Sequence, residues 1–192
     1  MNTYIALLRG INVGGNCTLP MKELVAILEG LGATKVRTYI QSGNVVFDIA
    51  KLNPTQFSRQ LSTEIHQRRG FDPKVHILTV GALDQAIVEN PFPDAVTDPG
   101  SLHVGFLASA PGSPDLNALS RLEKESERFH LSESVFYLHA PEGVGRSKLA
   151  ANAEKLLGVS MTDRNWNTVI KVRELARDGA NELVKKNHLN CE

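Results

Sequence analysis

"VRTYIQSGNVVFD", residues 36–48, reads as two short strands joined by a tight turn. Val36–Ile40 and Asn44–Asp48 are rich in β-branched and aromatic side chains, and QSGN at 41–44 supplies a Gly and an Asn, which tolerate positive φ. This hairpin decides the fold, because the elements on either side of it are mirrored in type. Upstream, the apolar run Tyr4–Leu8 is a buried strand. Pro20 then suits a first helical turn, and Met21, Leu24, Val25, Leu28 and Leu31 recur at three- and four-residue steps until Gly32. Downstream, Phe57, Leu61 and Ile65 mark a second helix and Val75–Thr79 a fourth strand. The order is β-α-β-β-α-β.

A Pro- and Asp-rich stretch, PFPDAVTDPG at 91–100, is the natural boundary. Beyond it Leu102–Leu107 reads as a strand, Leu116, Leu119 and Leu122 as a helix, and Phe129–Leu131 with Val135–Leu138 as a hairpin. Helices follow at about 147–157 and 164–178, which leaves the last strand of the repeat replaced or displaced. The predicted class is α+β, with two ferredoxin-like halves packed together, one complete and one a partial repeat. The expected domains are 1–90 and 102–192, with 91–101 as a linker.

Right-handed crossovers place the third strand of such a unit between the first and second. The exit of strand one and the β2–β3 hairpin then share one end of the sheet. RGINVGGN (9–16) and QSGN should therefore meet, gathering Arg9, Asn12, Asn16, Gln41, Ser42 and Asn44 near several glycine amides. Gly10, Gly14 and Gly15 allow backbone N–H groups close to a ligand, and Arg9 offers a bidentate grip on phosphate or carboxylate. GINVGGNCT lacks the lysine of a Walker loop and the GxGxxG spacing of a dinucleotide fold. The plain alternative is an irregular turn capped by its own asparagines. For Gly43 the needs of a tight hairpin are explanation enough.

In the second half, GVGRSKL (143–149) and TDRNWNTVIK (162–171) each read as a helix start, the latter with Thr162 or Asp163 as its cap. Helix starts attract anions, and Arg146, Lys148, Arg164 and Lys171 reinforce that field. Residues 146–177 hold seven basic and three acidic side chains. Asn165 and Asn167 are poor formers of a first helical turn, which suggests specific hydrogen bonds for their amides. Capping plus a solvated face is the simpler account of both stretches. Trp166, spaced helically with Val169 and Ile170, reads as core.

Composition narrows the field. The 192 residues carry 21 basic and 21 acidic side chains, so no global charge draws nucleic acid or anionic lipid. Two cysteines, Cys17 and Cys191, make neither a disulfide framework nor a zinc spacing and fit a reducing compartment. The histidines form no HxxxH or HxH pair, and no metal site is expected. GxSxG and SxxK are both absent, and Cys17 reads as a spectator thiol. The five-residue apolar run before Arg9 is too short for a signal peptide or membrane span, so the cytoplasm is expected. The element order is also that of RNA-recognition modules, but strands one and three read Tyr-Ile-Ala-Leu-Leu and Val-Val-Phe, which implies both faces covered and disfavours base stacking.

LLRGINVGG, TYIQSGNVVF, GRSKL and RNWNTV, in this order and spanning nearly the whole chain, resemble a widespread bacterial family known only as a domain of unknown function. The resemblance implies ferredoxin-like halves and brings no catalytic residue. The residues themselves favour a small anionic or polar ligand. Its expected site lies between the first loop, the hairpin and the two basic helix starts, lined by Arg9, Asn12, Gly14, Gly15, Gln41, Ser42, Asn44, Arg146, Lys148, Arg164, Asn165 and Asn167. Two alternatives stand beside it: nucleic-acid binding through 146–177, and polar motifs that only join the halves. Neither a reaction, a cofactor nor an oligomeric state follows from the sequence.

Overall fold

The computed structural model describes residues 1–15 and 17–189, with side chains described as far as Asp178. Asn16 and Cys191 lie outside the described residues. The chain divides into two compact units, one of Met1–Asp84 with the segment from Ile170 onward, the other Gln85–Val169.

The first unit runs β1 (Asn2–Arg9), α1 (Met21–Gly30), β2 (Thr34–Tyr39), β3 (Asn44–Ile49), α2 (Pro54–Arg69) and β4 (Lys74–Thr79). Its antiparallel sheet has the order β2-β3-β1-β4, with the third strand between the first and second as the crossover rule requires. On one sheet face Ala6, Leu8, Val45 and Phe47 meet Leu24 and Leu28 of α1 and Phe57, Leu61 and Ile65 of α2. The Phe47 and Phe57 rings stack 5.3 Å apart. Helix α2 is delimited at both ends by its sequence: the Asn53 side chain accepts from Gln56 N, Pro54 follows at the first position, and Gly70 closes the helix at φ 76°. On the opposite sheet face Ile5, Leu7 and Val46 are also fully buried. Consecutive apolar residues thus serve two faces, which leaves these strands without the open surface that base stacking needs.

Two helices cross the boundary between the units. The sequence reading assigns no element to 80–90, whereas α3 (Val80–Val88) starts directly after β4 and is capped by Thr79 Oγ1, which accepts from Ala82 N at 3.1 Å. Its first residues, Val-Gly, are poor helix formers and mask the signal. The last helix, α6 (Trp166–Leu189), is held to the first unit by Asp84, whose two oxygens accept from Arg173 Nε at 2.6 Å and Arg177 Nη2 at 2.9 Å.

The second unit contains β5 (Leu102–Leu107), α4 (Leu116–Leu122), β6 (Arg128–Leu131), β7 (Val135–His139), α5 (Lys148–Leu157) and β8 (Met161–Asn165). Its sheet order, β6-β7-β5-β8, is that of the first unit, so the repeat is complete. This corrects the expected helix start at about 164. Thr162 and Asp163 are not caps but strand residues, paired with Phe106 and Gly105. The cap is Asn165, whose Oδ1 accepts from Thr168 N at 3.0 Å. MTDRN lacks apolar alternation because it forms a sheet edge, and its strand character comes from β5. Gly105 makes room for it: a Cβ there would lie 2.7 Å from Met161 Sδ. Leu119, Leu138, Leu149, Ala153 and Leu157 fill the core between this sheet and its helices. Tyr137 donates from its hydroxyl to Ala86 O at 2.8 Å and ties α3 to the sheet, and burial pushes that phenol up to about 12.

Candidate functional site

The two loops expected to meet do meet. Leu8 N donates to Gly43 O at 2.7 Å, and Asn12 Nδ2 donates to Gln41 O at 2.8 Å and Leu19 O at 2.9 Å. Asn12 Oδ1 in turn accepts from Leu19 N at 2.7 Å, so one side chain closes its own loop and fastens it to the hairpin. Asn12 adopts φ 54°, a conformation that asparagine tolerates better than most residues. Within the hairpin, Asn44 is fully buried and donates to Tyr39 O and Ser42 Oγ. Asn12, Ser42 and Asn44 therefore hold the backbone in place. Gln41 contributes its carbonyl to this seam and leaves its side chain exposed.

Gly43 has a second reason to be glycine besides its φ of 78°. A Cβ would sit 2.7 Å from Leu8 Cβ and 2.9 Å from Ile11 Cδ1. The hairpin can rest against the end of β1 only where no side chain intervenes. Gly10, Gly14 and Gly15 also hold positive φ, at 76°, 63° and 77°, and stand clear of neighbouring atoms.

What this scaffold presents is a pair of cations. Arg9 ends β1 and Lys74 begins β4, and the antiparallel register makes them direct cross-strand partners. Like charges in that relation repel. They line a concavity of about 300 Å³ together with Gly10, Cys17, Phe71, Asp72 and Pro73. The carboxylate on this rim, Asp72, lies 2.9 Å from His66 Nδ1. Starting the fourth strand at Val75 hides Lys74 from a sequence reading, since the cation pair appears only with the register.

The candidate residues of the second unit fall at one end of its own sheet, where β7 leaves and β8 finishes. Arg146 and Lys148 are exposed on either side of Ser147, which caps α5 by accepting from Ala150 N at 3.0 Å. Arg164 is a residue of β8 rather than of a helix start. Burial pushes its guanidinium down to about 10, and Nη1 donates to Asp163 O at 2.7 Å. Asn165 is the cap already described, and Asn167 is exposed on α6. Much of the basic surplus over 146–177 is paired: Lys171 with Glu174, and Arg173 and Arg177 with Asp84.

One polar pair was not anticipated. His103, mostly buried in β5, bonds through Nδ1 to Asp163 Oδ2 at 2.7 Å. Burial works against its charged form, but the Asp163 carboxylate and the backbone of Gly100 outweigh that and hold its pKa above the ordinary value. Only the β5–β8 register brings the two together. His76 of β4 moves the opposite way, lowered by burial. Among the described residues no group of three or more His, Cys, Asp or Glu side chains is placed to hold a metal ion, and no helix is long and apolar enough to cross a membrane.

Fold and site together define an α+β protein built from two ferredoxin-like halves, with a glycine-rich loop locked to a hairpin at the end of the first sheet. The chain belongs to the family described as "Protein of unknown function (DUF1697)", whose model matches residues 1–137. Among solved structures it is similar to the conserved bacterial protein SP0830 from Streptococcus pneumoniae. The TM-score is 0.70 and the identity 23%, over 91% of this chain and 98% of that one. Likeness at that identity carries the fold. No protein of curated function matches the chain.

Proposed function

We propose that the protein binds a small anionic ligand at the end of its first sheet, with Arg9 and Lys74 as the anion-holding pair. The observation that carries this reading is their direct cross-strand pairing beside the concavity. Two cations paired across strands beside one hollow favour an oxyanion such as a phosphate or carboxylate group over a neutral ligand. Gly10 lines the same hollow, and Gly14 and Gly15 keep exposed backbone within the same loop. Asn12, Ser42 and Asn44 act on the ligand only indirectly, by fixing the loop and hairpin that flank Arg9.

The test is a thermal-shift series with inorganic phosphate, pyrophosphate and a phosphorylated sugar. A ligand at a hundred times its dissociation constant stabilises by about 2.7 kcal/mol, well within reach of such a measurement. The double variant Arg9→Ala, Lys74→Ala should lose the shift. An unchanged shift in that variant, or none in the native protein with any anion, removes the reading.

A further inference from the structure

In the second unit, Arg128 begins β6 and His139 ends β7, and the register makes them direct cross-strand partners. Against them lies a short turn, Pro93–Thr97, which follows the buried Phe92. Arg128 holds that turn in two ways. Nη1 donates to Asp94 Oδ1 at 3.3 Å and Nη2 to Asp94 Oδ2 at 2.5 Å, and the guanidinium carbon lies 4.9 Å from the centre of the Phe92 ring. The turn's own hydrogen bonds are local: Ala95 N donates to Phe92 O, Asp98 N to Ala95 O, and Thr97 Oγ1 to Asp94 O. Arg128 is therefore a polar tie between this turn and the sheet.

A further contact of Arg128 sets a condition on that tie. Nε donates to His139 Nδ1 at 3.3 Å, and Nη2 lies 3.1 Å from the same nitrogen. A guanidinium has N–H donors and no acceptor, so Nδ1 must carry its lone pair and the imidazole must be neutral, with its proton on Nε2. Protonation at Nδ1 removes the acceptor and sets a second cation against Arg128. Two carboxylates of the turn segment, Asp94 and Asp98, favour the charged ring. Burial and Arg128 outweigh them and hold the His139 pKa below its ordinary value. On the other side of β7, β5 sets the apolar Leu102 opposite His139.

We propose that Arg128 and His139 form a pH-sensitive clasp on the turn Pro93–Thr97, closed while the imidazole is neutral and loosened when it takes up a proton. The sign follows from linkage. A histidine held below its ordinary value destabilises the closed form as pH falls from that ordinary value through the folded-state one. Asp94, which Arg128 holds below its own ordinary value, stays charged through that window, so its titration is a separate and more acidic event. The clasp shares no residue with the Arg9–Lys74 concavity.

The test follows the full chain by NMR from about pH 8 to about pH 5, the range in which imidazoles titrate. It reads the His139 ring signals and hydrogen exchange at the Ala95 and Asp98 amides, corrected for the intrinsic pH dependence of exchange. Protection of both amides should fall by about two- to fivefold as His139 titrates, the range expected for one partly exposed charge contact. His139→Asn offers Arg128 an amide oxygen, an acceptor that does not titrate, and should keep that protection across the range. His139→Lys, a permanent cation, should lack it at every pH. Arg128→Met removes the facing cation, so the His139 titration should move up. Native protection that ignores the titration of His139, an equal loss in His139→Asn, full protection in His139→Lys, or a His139 pKa left unmoved or lowered by Arg128→Met would each overturn the proposal.

Discussion

Replacing Gly43 with alanine tests the physical basis of the loop–hairpin seam. The residue has φ 78°, which an L side chain adopts at a cost of about 1–2 kcal/mol. The added methyl would also stand 2.7 Å from Leu8 Cβ and 2.9 Å from Ile11 Cδ1. Leu8 Cβ is fixed to the backbone of a central strand and cannot swing aside, so the hairpin itself must move. Forced overpacking of this kind costs typically about 1–3 kcal/mol. Gly70→Ala is the control, because Gly70 has nearly the same φ, 76°, but nothing within 4 Å of its would-be Cβ. Both variants carry the conformational cost, and only Gly43→Ala carries the clash. Urea denaturation followed by circular dichroism should therefore show Gly43→Ala less stable than Gly70→Ala by about 1–3 kcal/mol. Hydrogen exchange at Leu8 N–H, which donates to Gly43 O at 2.7 Å, should accelerate in Gly43→Ala. Equal stabilities for the two variants would refute the claim that the hairpin rests on β1 through a space only glycine leaves.

Ile40 is exposed and holds φ 49°, an outlying conformation for a β-branched residue, so Ile40→Asn should raise stability by about 1 kcal/mol in the same denaturation assay. The His103–Asp163 pair gives a signed pH dependence. A histidine held above its ordinary value contributes stability that is complete below that ordinary value and is lost as pH rises through the folded-state value. Asp163→Asn should flatten that decline in denaturation midpoints measured across neutral pH. His76, lowered by burial, acts oppositely: stability present above the ordinary imidazole value is lost as pH falls through its folded-state value, and His76→Gln should remove that acid-side loss. Gly105→Ala should cost about 1–3 kcal/mol by calorimetry, since the new Cβ meets Met161 Sδ and sits 3.3 Å from Phe136 O.

The parts of the fold legible in the sequence are those with strong local periodicity. Phe57, Leu61 and Ile65 announce α2 because all three are buried on one face, and QSGN announces the hairpin because its glycine and asparagine meet turn demands. Handedness then supplied the strand order of the first unit without any pairing information. Two elements escaped. Helix α3 begins with Val-Gly, and its cap, Thr79, is also the last residue of a strand. Strand β8 is almost wholly polar, and its character depends on β5 beside it.

The misread strand bears directly on the site. Reading TDRN as a helix start puts Arg164 at a positive dipole end, open to anions. Pairing with Val104 instead makes Arg164 a strand residue, and burial lowers its pKa to about 10. Side-chain direction in a strand alternates from residue to residue, so a shift of one element type changes which atoms a residue can meet. The same logic explains Lys74, which belongs to no sequence motif and becomes notable only once the register sets Arg9 opposite it. Glycines and asparagines advertise where a backbone turns. Which cations face each other is a property of strand pairing, so the candidate ligand groups emerge from the sheet rather than from the loop that first drew notice.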